Sequence, residues 1–137
     1  SLSRESRVVA TMCRLACYLG TNIQLAELVT KPKRSILTQS YDARERQAHT
    51  VEHLKWANLN GDGFGVGWYS KDIQNDSKPC VFTSILPAWN NKNLARLAEK
   101  VSSPLIFAHV RAAYPGMPVS EQNCHPFVVG KYMFMHN

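Results

Sequence analysis

The sequence predicts an α+β protein in which antiparallel hairpins outnumber β-α-β crossovers. Short apolar segments rich in β-branched and aromatic residues are separated by turn residues, as in hairpin-connected strands. Residues 90–101 show the i, i+3, i+4, i+7 apolar spacing of an amphipathic helix. The 137 residues are 45% hydrophobic and 19% charged, which is ordinary for a single globular domain.

The first part of the chain predicts a tail, a strand and two helical segments. Residues 1–11 are polar, have no sustained period and are interpreted as a tail. Residues 12–20, MCRLACYLG, are apolar-rich and end on glycine, which predicts a buried strand. A Thr-Asn pair is predicted to cap a helix over 21–29, and a Lys-Pro pair stops it. Residues 35–57 predict a loop with an irregular helix.

The second part predicts a glycine-rich strand, a helix, a central strand and a hairpin. Residues 60–69, NGDGFGVGWY, pass from turn chemistry into aromatic strand formers, and residues 81–86 are expected to pair back on them. Two asparagines are predicted to cap the helix over 90–101. Residues 105–110, LIFAHV, are nearly all apolar and predict a central strand buried on both faces. Residues 127–135 predict a tight hairpin.

Composition and motifs argue against several functional classes. The net charge of +6 permits a nucleic-acid partner, but the basic residues are scattered and lack interleaved aromatics, so none is predicted. The four cysteines form no C-x-x-C pair, which argues against a zinc site, and no metal or cofactor is predicted. No apolar run approaches the roughly 20 residues that span a bilayer. Reduced thiols fit a cytoplasmic protein without a membrane partner.

Cys13 is the first candidate for catalysis. An N-terminal cysteine carries nucleophile and base on one residue, because a free α-amine titrates at about 7.7–8.0 and can take the thiol proton. Met12 precedes Cys13, and initiator-Met removal is favoured before a small residue, so this pair is interpreted as a start site. The alternative is a buried structural cysteine.

Polar residues at predicted strand ends supply further candidates. Asp62 and Gly63 lie in a glycine-rich loop that lacks the Lys-Ser/Thr of a phosphate-binding loop and leads into a strand, which argues against nucleotide binding. The glycines instead indicate that the backbone approaches another group closely near a site. Because side chains alternate between the two faces of a strand, His109 and Arg111 lie on the same face. An arginine at a strand end can hold a carboxylate through two parallel hydrogen bonds. The alternative for Arg111 is an ordinary ion pair.

The segments NCHP and HN near the end of the chain also bring polar groups to strand ends. Asn137 could donate its amide to a developing oxyanion. For His125 and His136, the alternative is a satisfied polar residue in a loop or core. A histidine metal site would need three or four ligands in a geometry that the sequence does not define.

Five segments, in this order, resemble the class II glutamine amidotransferases, which use an N-terminal cysteine nucleophile. They are MCRLACYLG, NGDGFGVGWY, FAHVRAAYPG, VSEQNCHPF and MFMHN, and together they extend from Met12 to Asn137. The segments PAWNNKNLARLAEKV and FAHVRAA resemble in particular the fungal amidotransferase-like subunits of the cytosolic glutathione-degradation complex. No single motif is decisive, but five in order are highly specific.

The resemblance implies an αββα sandwich of antiparallel sheets. Residues 13–137 would be its N-terminal portion, truncated at the C-terminus, and residues 1–12 a non-native or removed extension. Cys13 would attack a γ-glutamyl amide, and Arg111 would grip the α-carboxylate of the substrate. Asn137 would be one oxyanion donor, with a glycine after it as the other.

The resemblance also implies a substrate pocket. Asp62, Gly63 and His136 are predicted to bind substrate beside Arg111. Tyr114 stands where the family has a threonine three residues after the strand-end arginine, so the resemblance does not define the details of substrate gripping at this position.

The predicted function is hydrolysis of a γ-glutamyl amide through a cysteine thioester, with glutathione as the first substrate and glutamine as the second. The resemblance implies a hetero-oligomer with a metallopeptidase-like subunit. The alternative is a catalytically silent interaction subunit with the same fold. Because the expected oxyanion glycine is missing, the 137-residue chain itself is expected to be inactive and prone to aggregate through exposed strand edges.

Overall fold

A computed structural model describes residues 13–43, 59–70, 76–113 and 116–136 of the chain. Short 3-10 turns occupy Ala88–Asn90 and Glu121–Asn123. The strands and helices follow in the order β1 (Arg14–Gln24), α1 (Ala26–Val29), α2 (Ile36–Tyr41), β2 (Phe64–Trp68), β3 (Cys80–Ser84), α3 (Lys92–Lys100), β4 (Ser102–Val110), β5 (Phe127–Val129) and β6 (Tyr132–Phe134). None of the helices in these ranges is long and apolar enough to cross a membrane.

The strands form two antiparallel sheets, which confirms the predicted α+β class. Four strands pair in the order β1-β4-β2-β3, and β5 pairs with β6 as the predicted hairpin. The central position of β4 is also confirmed, because it pairs with both β1 and β2. Ala108 and His109 point to opposite faces of β4, and both are buried.

The main core lies between one face of the four-stranded sheet and the helices. Phe64 and Val66 of β2 contribute to it, together with Leu94 and Ala98 of α3. The side chain of Asn91 accepts a hydrogen bond from the backbone N–H of Leu94 at 2.9 Å, which confirms one of the two predicted capping asparagines. The other, Asn90, ends the preceding 3-10 turn. Burial of this apolar face packs α3 against β1 and α1.

Glycines on the other face of β2 allow the second sheet to approach closely. A Cβ atom on Gly65 would lie 1.9 Å from the carbonyl oxygen of His125, and one on Gly67 would lie 2.8 Å from Pro126 Cγ. The segment that leads into β5 therefore rests directly on β2. The resulting order of helices, sheet and second sheet provides three of the four layers of the predicted sandwich within the described ranges.

Gly65→Ala is expected to lower the free energy of unfolding by about 1–3 kcal/mol or more, because the added methyl group meets backbone that cannot rotate away. Urea denaturation measures this change. Gly20→Ala is the control, since the atoms nearest its Cβ belong to the Tyr18 side chain and not to backbone; displacing the Tyr18 hydroxyl from the Thr21 carbonyl is expected to cost at most about 1 kcal/mol. Equal losses in the two variants would contradict this packing.

Three local predictions about the first part of the chain were wrong. The strand predicted to be buried, β1, lies at an edge of the four-stranded sheet, and none of its residues is buried. The first strand does not end at Gly20 but continues to Gln24, after a register shift between Leu19 and Ile23. Ile23 and Gln24, which were predicted to lie in the first turn of a helix, pair with Ser103 and Ser102 of β4, so the helix expected over 21–29 is only the four-residue α1. Within the loop and irregular helix expected over 35–57, the structure describes α2, while residues 44–58 lie outside the described part.

Candidate active site

Three chain segments meet at one end of the four-stranded sheet. Arg14 of β1 and Phe64 of β2 both pair with Val110 of β4. The residues just before β1 and β2 therefore lie beside the residues just after β4. This register brings together the candidates that the sequence places almost 100 residues apart.

Cys13 lies against the backbone that follows β4. Its Sγ atom is 3.4 Å from the backbone nitrogen of Ala112, which donates to it, and 3.6 Å from the Ala112 carbonyl oxygen. The side chain is partly exposed, and the thiol is free. The candidate nucleophile is thus held one residue from Arg111 without being sealed in the core.

The glycine-rich loop before β2 is tied to the same backbone. The Asp62 N–H donates to the Arg111 carbonyl at 3.0 Å, and the Arg111 N–H donates to the Gly63 carbonyl at 2.8 Å. The Asp62 carboxylate accepts from the Ala113 N–H at 2.7 Å. One carboxylate oxygen of Asp62 thus holds the strand end in place.

Gly63 allows a close approach that a larger residue would block. Its φ is +116°, a conformation in which L side chains are strained. A Cβ atom there would also lie 2.7 Å from Cys124 Sγ and 2.9 Å from the Ser84 carbonyl oxygen. Glycine therefore lets the loop settle between β3 and the segment that carries Cys124.

Arg111 is buried, and not all of its hydrogen-bond donors are paired within the part of the chain that the structure describes. It is 4% exposed, and its Nη2 donates to the Pro118 carbonyl at 3.1 Å. Its Nη1 is shielded from solvent and has no hydrogen-bond partner among the described residues. A guanidinium group has five donors, and an unpaired buried donor is costly. The arrangement can thus stabilise a bound carboxylate.

A buried histidine pair lies beside Arg111. The His109 Nε2 atom is 2.9 Å from His125 Nδ1 and 3.1 Å from the carbonyl oxygen of His136. Burial, together with His125 and Arg111 nearby, lowers the pKa of His109 to about 3. Burial, His136 and Arg111 lower the pKa of His125 to about 4. Both rings are therefore uncharged at neutral pH.

Acidification is expected to destabilise the fold through this pair. In the unfolded chain a histidine titrates near its ordinary pKa of about 6.5, so below that pH the unfolded state binds more protons than the folded state. The free energy of unfolding should fall by about 2 kcal/mol per histidine between about pH 7.5 and pH 5. Urea denaturation at the two pH values measures the loss. His125→Asn should remove about half of it; an unchanged loss would refute the assignment.

Of the remaining predicted site residues, some lie within the described part of the chain and some do not. His136 follows β6 with an exposed side chain, and its carbonyl oxygen accepts from His109. Asn137, Tyr114 and residues 1–12 lie outside the described residues. No cluster of three His, Cys, Asp or Glu side chains suited to a metal occurs in the described ranges.

The contact between His109 and His125 does not follow from the sequence. Strand alternation places His109 on the Arg111 face, but its partner is 16 residues away in a loop. The only signal in the sequence was a histidine within an otherwise apolar strand.

The helix layer and the two sheets, with a cysteine and an arginine at adjoining strand ends, form the arrangement expected of an amidotransferase-type domain. Residues 45–137 match the class-II glutamine amidotransferases. The chain belongs to this family.

The names of individual similar proteins are consistent with this family. The chain is 47% identical over 128 residues to the probable glutamine amidotransferase DUG3 of Saccharomyces cerevisiae, covering 92% of this chain and 34% of that protein. It is 32% identical over 126 residues to a gamma-glutamyl-hercynylcysteine sulfoxide hydrolase of Mycolicibacterium smegmatis, covering 92% and 50%. The chain therefore spans about a third to a half of the length of these relatives.

A solved structure shows the same architecture. The glutamine aminotransferase class-II domain protein from Silicibacter pomeroyi superposes with a TM-score of 0.53 at 28% sequence identity. The match covers 90% of this chain and 35% of that one. It supports the antiparallel α+β fold described above.

Proposed function

We propose that the full-length protein hydrolyses γ-glutamyl amides, glutathione first and glutamine second, with Cys13 as its N-terminal nucleophile. The family and its relatives support amidohydrolase activity in general, and one relative is named as a hydrolase of a γ-glutamyl compound. The observation that carries the proposal is the placement of Cys13 Sγ against Ala112, next to the buried and incompletely paired Arg111.

The proposed reaction begins with removal of the residues up to Met12, which frees the α-amine of Cys13. This amine takes the thiol proton, and the thiolate adds to the γ-carbonyl carbon of the substrate. The Asn137 side-chain amide donates to the resulting oxyanion. The C–N bond then breaks, and the leaving amine takes the proton from the ammonium group. Water hydrolyses the thioester, which releases the glutamyl carboxylate and restores the thiol.

Substrate orientation is assigned to the residues that surround the thiol. Arg111 would hold the α-carboxylate of the γ-glutamyl group, because its unpaired Nη1 and its forked geometry suit two parallel hydrogen bonds. Asp62, Gly63 and His136 would complete the substrate pocket. Asp62 and Gly63 are supported by their backbone bonds to Arg111.

The proposal includes a cytoplasmic hetero-oligomer with a metallopeptidase-like subunit. Four free thiols among the described residues fit a reducing compartment. Cleavage of glutathione at the γ-glutamyl bond leaves cysteinylglycine, whose remaining peptide bond is a substrate for a peptidase. The chemistry of the product thus supports such a partner.

Release of the leaving amine tests this function: ammonia from glutamine, and cysteinylglycine, or the cysteine and glycine formed from it, from the two glutathione compounds. The full-length protein, alone and mixed with the metallopeptidase-like subunit, is incubated with glutathione, glutamine and glutathione amidated at the glutamyl α-carboxylate. We expect the fastest release from glutathione and almost none from the amidated compound. Absence of release from all three substrates in the mixture would favour the silent interaction subunit instead.

A further inference from the structure

We infer that His109 and His125 are positioning residues that hold the peptide group between His136 and Asn137 for oxyanion stabilisation. This inference rests on the proposed function, in which the Asn137 side chain is an oxyanion donor. Neither histidine contacts the reacting atoms in this assignment. They act through the backbone from which Asn137 departs.

The first link is the hydrogen bond between His109 and the His136 carbonyl. A carbonyl oxygen only accepts, so the His109 Nε2 atom at 3.1 Å carries the proton. The other ring nitrogen, Nδ1, is buried without a hydrogen-bond partner in the described part of the chain, which fits an unprotonated atom. That carbonyl belongs to the peptide group that continues into Asn137.

The second link is His125, which supports the His109 ring. Because His109 Nε2 carries the proton, His125 Nδ1 at 2.9 Å is a second acceptor for the same N–H. The His125 ring meets Phe127 edge-on, and its centroid is also 4.4 Å from that of the His136 ring. Its own backbone rests on Gly65 of β2. The pair therefore connects the central strand of the large sheet to the end of the β5–β6 hairpin.

The surroundings keep both rings uncharged. The titratable or charged groups that act on the pair are Arg111 after β4 and His136 after β6, and neither is acidic. Burial is the main cause that lowers the pKa of both histidines, and Arg111 also lowers both. The His136 ring lowers the pKa of both as well, while the hydrogen bond to the His136 backbone raises that of His109. A proton on His125 Nδ1 would set two N–H donors against each other. The hydrogen-bond pattern is thus preserved at the pH where the enzyme would work.

Matched amide substitutions test the pair without leaving an apolar gap. Glutamine places a donor at the ε position, and asparagine places an acceptor at the δ position. We expect His109→Asn to lower kcat roughly 10- to 100-fold while His109→Gln retains most of it, because a displaced catalytic group costs about that much. At position 125 the order should reverse, with His125→Asn more active than His125→Gln. The KM for glutathione should change less than about twofold in all four variants, because Arg111 is untouched.

The assay uses the full-length protein with its metallopeptidase-like partner and glutathione, and thermal unfolding checks each variant. The decisive result is a reversed order of kcat for the asparagine and glutamine variants at the two positions. If the histidines only filled space, the same amide would be preferred at both. Three results would overturn this inference while leaving the proposed function intact. They are a higher kcat for the same amide at both positions, equal kcat in all variants, and a change confined to KM. A wild-type protein without turnover overturns the proposed function as well.

Discussion

Cys13→Ala is expected to reduce γ-glutamyl amide hydrolysis by a factor on the order of 10⁴ or more, since no other group can form the thioester. Alanine is also small, so removal of the preceding methionine should continue. The lost contacts with Ala112 are weak sulfur hydrogen bonds, and the free energy of unfolding should change by less than about 1 kcal/mol. Steady-state hydrolysis of glutathione measures the effect.

Two other free cysteines provide matched controls for this variant. Cys17 and Cys80 are exposed on β1 and β3, away from the strand ends that carry the site. Cys17→Ala and Cys80→Ala should retain activity within about twofold, because surface substitutions of this kind are usually mild. Full activity in Cys13→Ala, or equal losses in all three variants, would remove Cys13 from the mechanism.

Arg111→Lys is expected to lower kcat/KM for glutathione by a factor on the order of 10²–10³. Lysine keeps the positive charge but loses the fork that binds a carboxylate through two hydrogen bonds. The loss should appear mainly in KM, because the contact is made in the bound substrate as well as in the transition state. Arg96→Lys, at an exposed position of α3, should leave both constants unchanged.

A substrate without the α-carboxylate separates binding from folding effects. Glutathione amidated at the glutamyl α-carboxylate should be a poor substrate for the wild type, and almost equally poor for Arg111→Lys. The two changes would then be non-additive, as expected when they remove the same interaction. If the losses multiply instead, Arg111 stabilises the site in another way.

Local patterns in the sequence predicted much of the fold. The helix over Lys92–Lys100 carries its own cap at Asn91 and its own apolar face, so its start and its buried side follow from nearby residues. The central position of β4 follows from its continuous apolar run, and the hairpin of β5 and β6 from the turn at Gly130. Each of these signals is contained within about ten residues.

Features that depend on distant residues could not be predicted in this way. The extension of β1 to Gln24 results from pairing with Ser102 and Ser103, which overrides a plausible local helix start. The contact between His109 and His125 depends on how the two sheets pack, as does the role of Gly65. Residue types alone indicated Cys13 and Arg111 as candidates, but their proximity follows from the strand register.

The most direct test of an N-terminal cysteine nucleophile is intact-mass analysis of the full-length protein before and after treatment with a glutamine-analogue diazo ketone. In the presence of the proposed metallopeptidase-like subunit, we predict a mature chain that begins at Cys13 and gains one adduct, which peptide mapping locates on that residue. Retention of residues 1–12, or an unlabelled Cys13, would contradict the proposed mechanism.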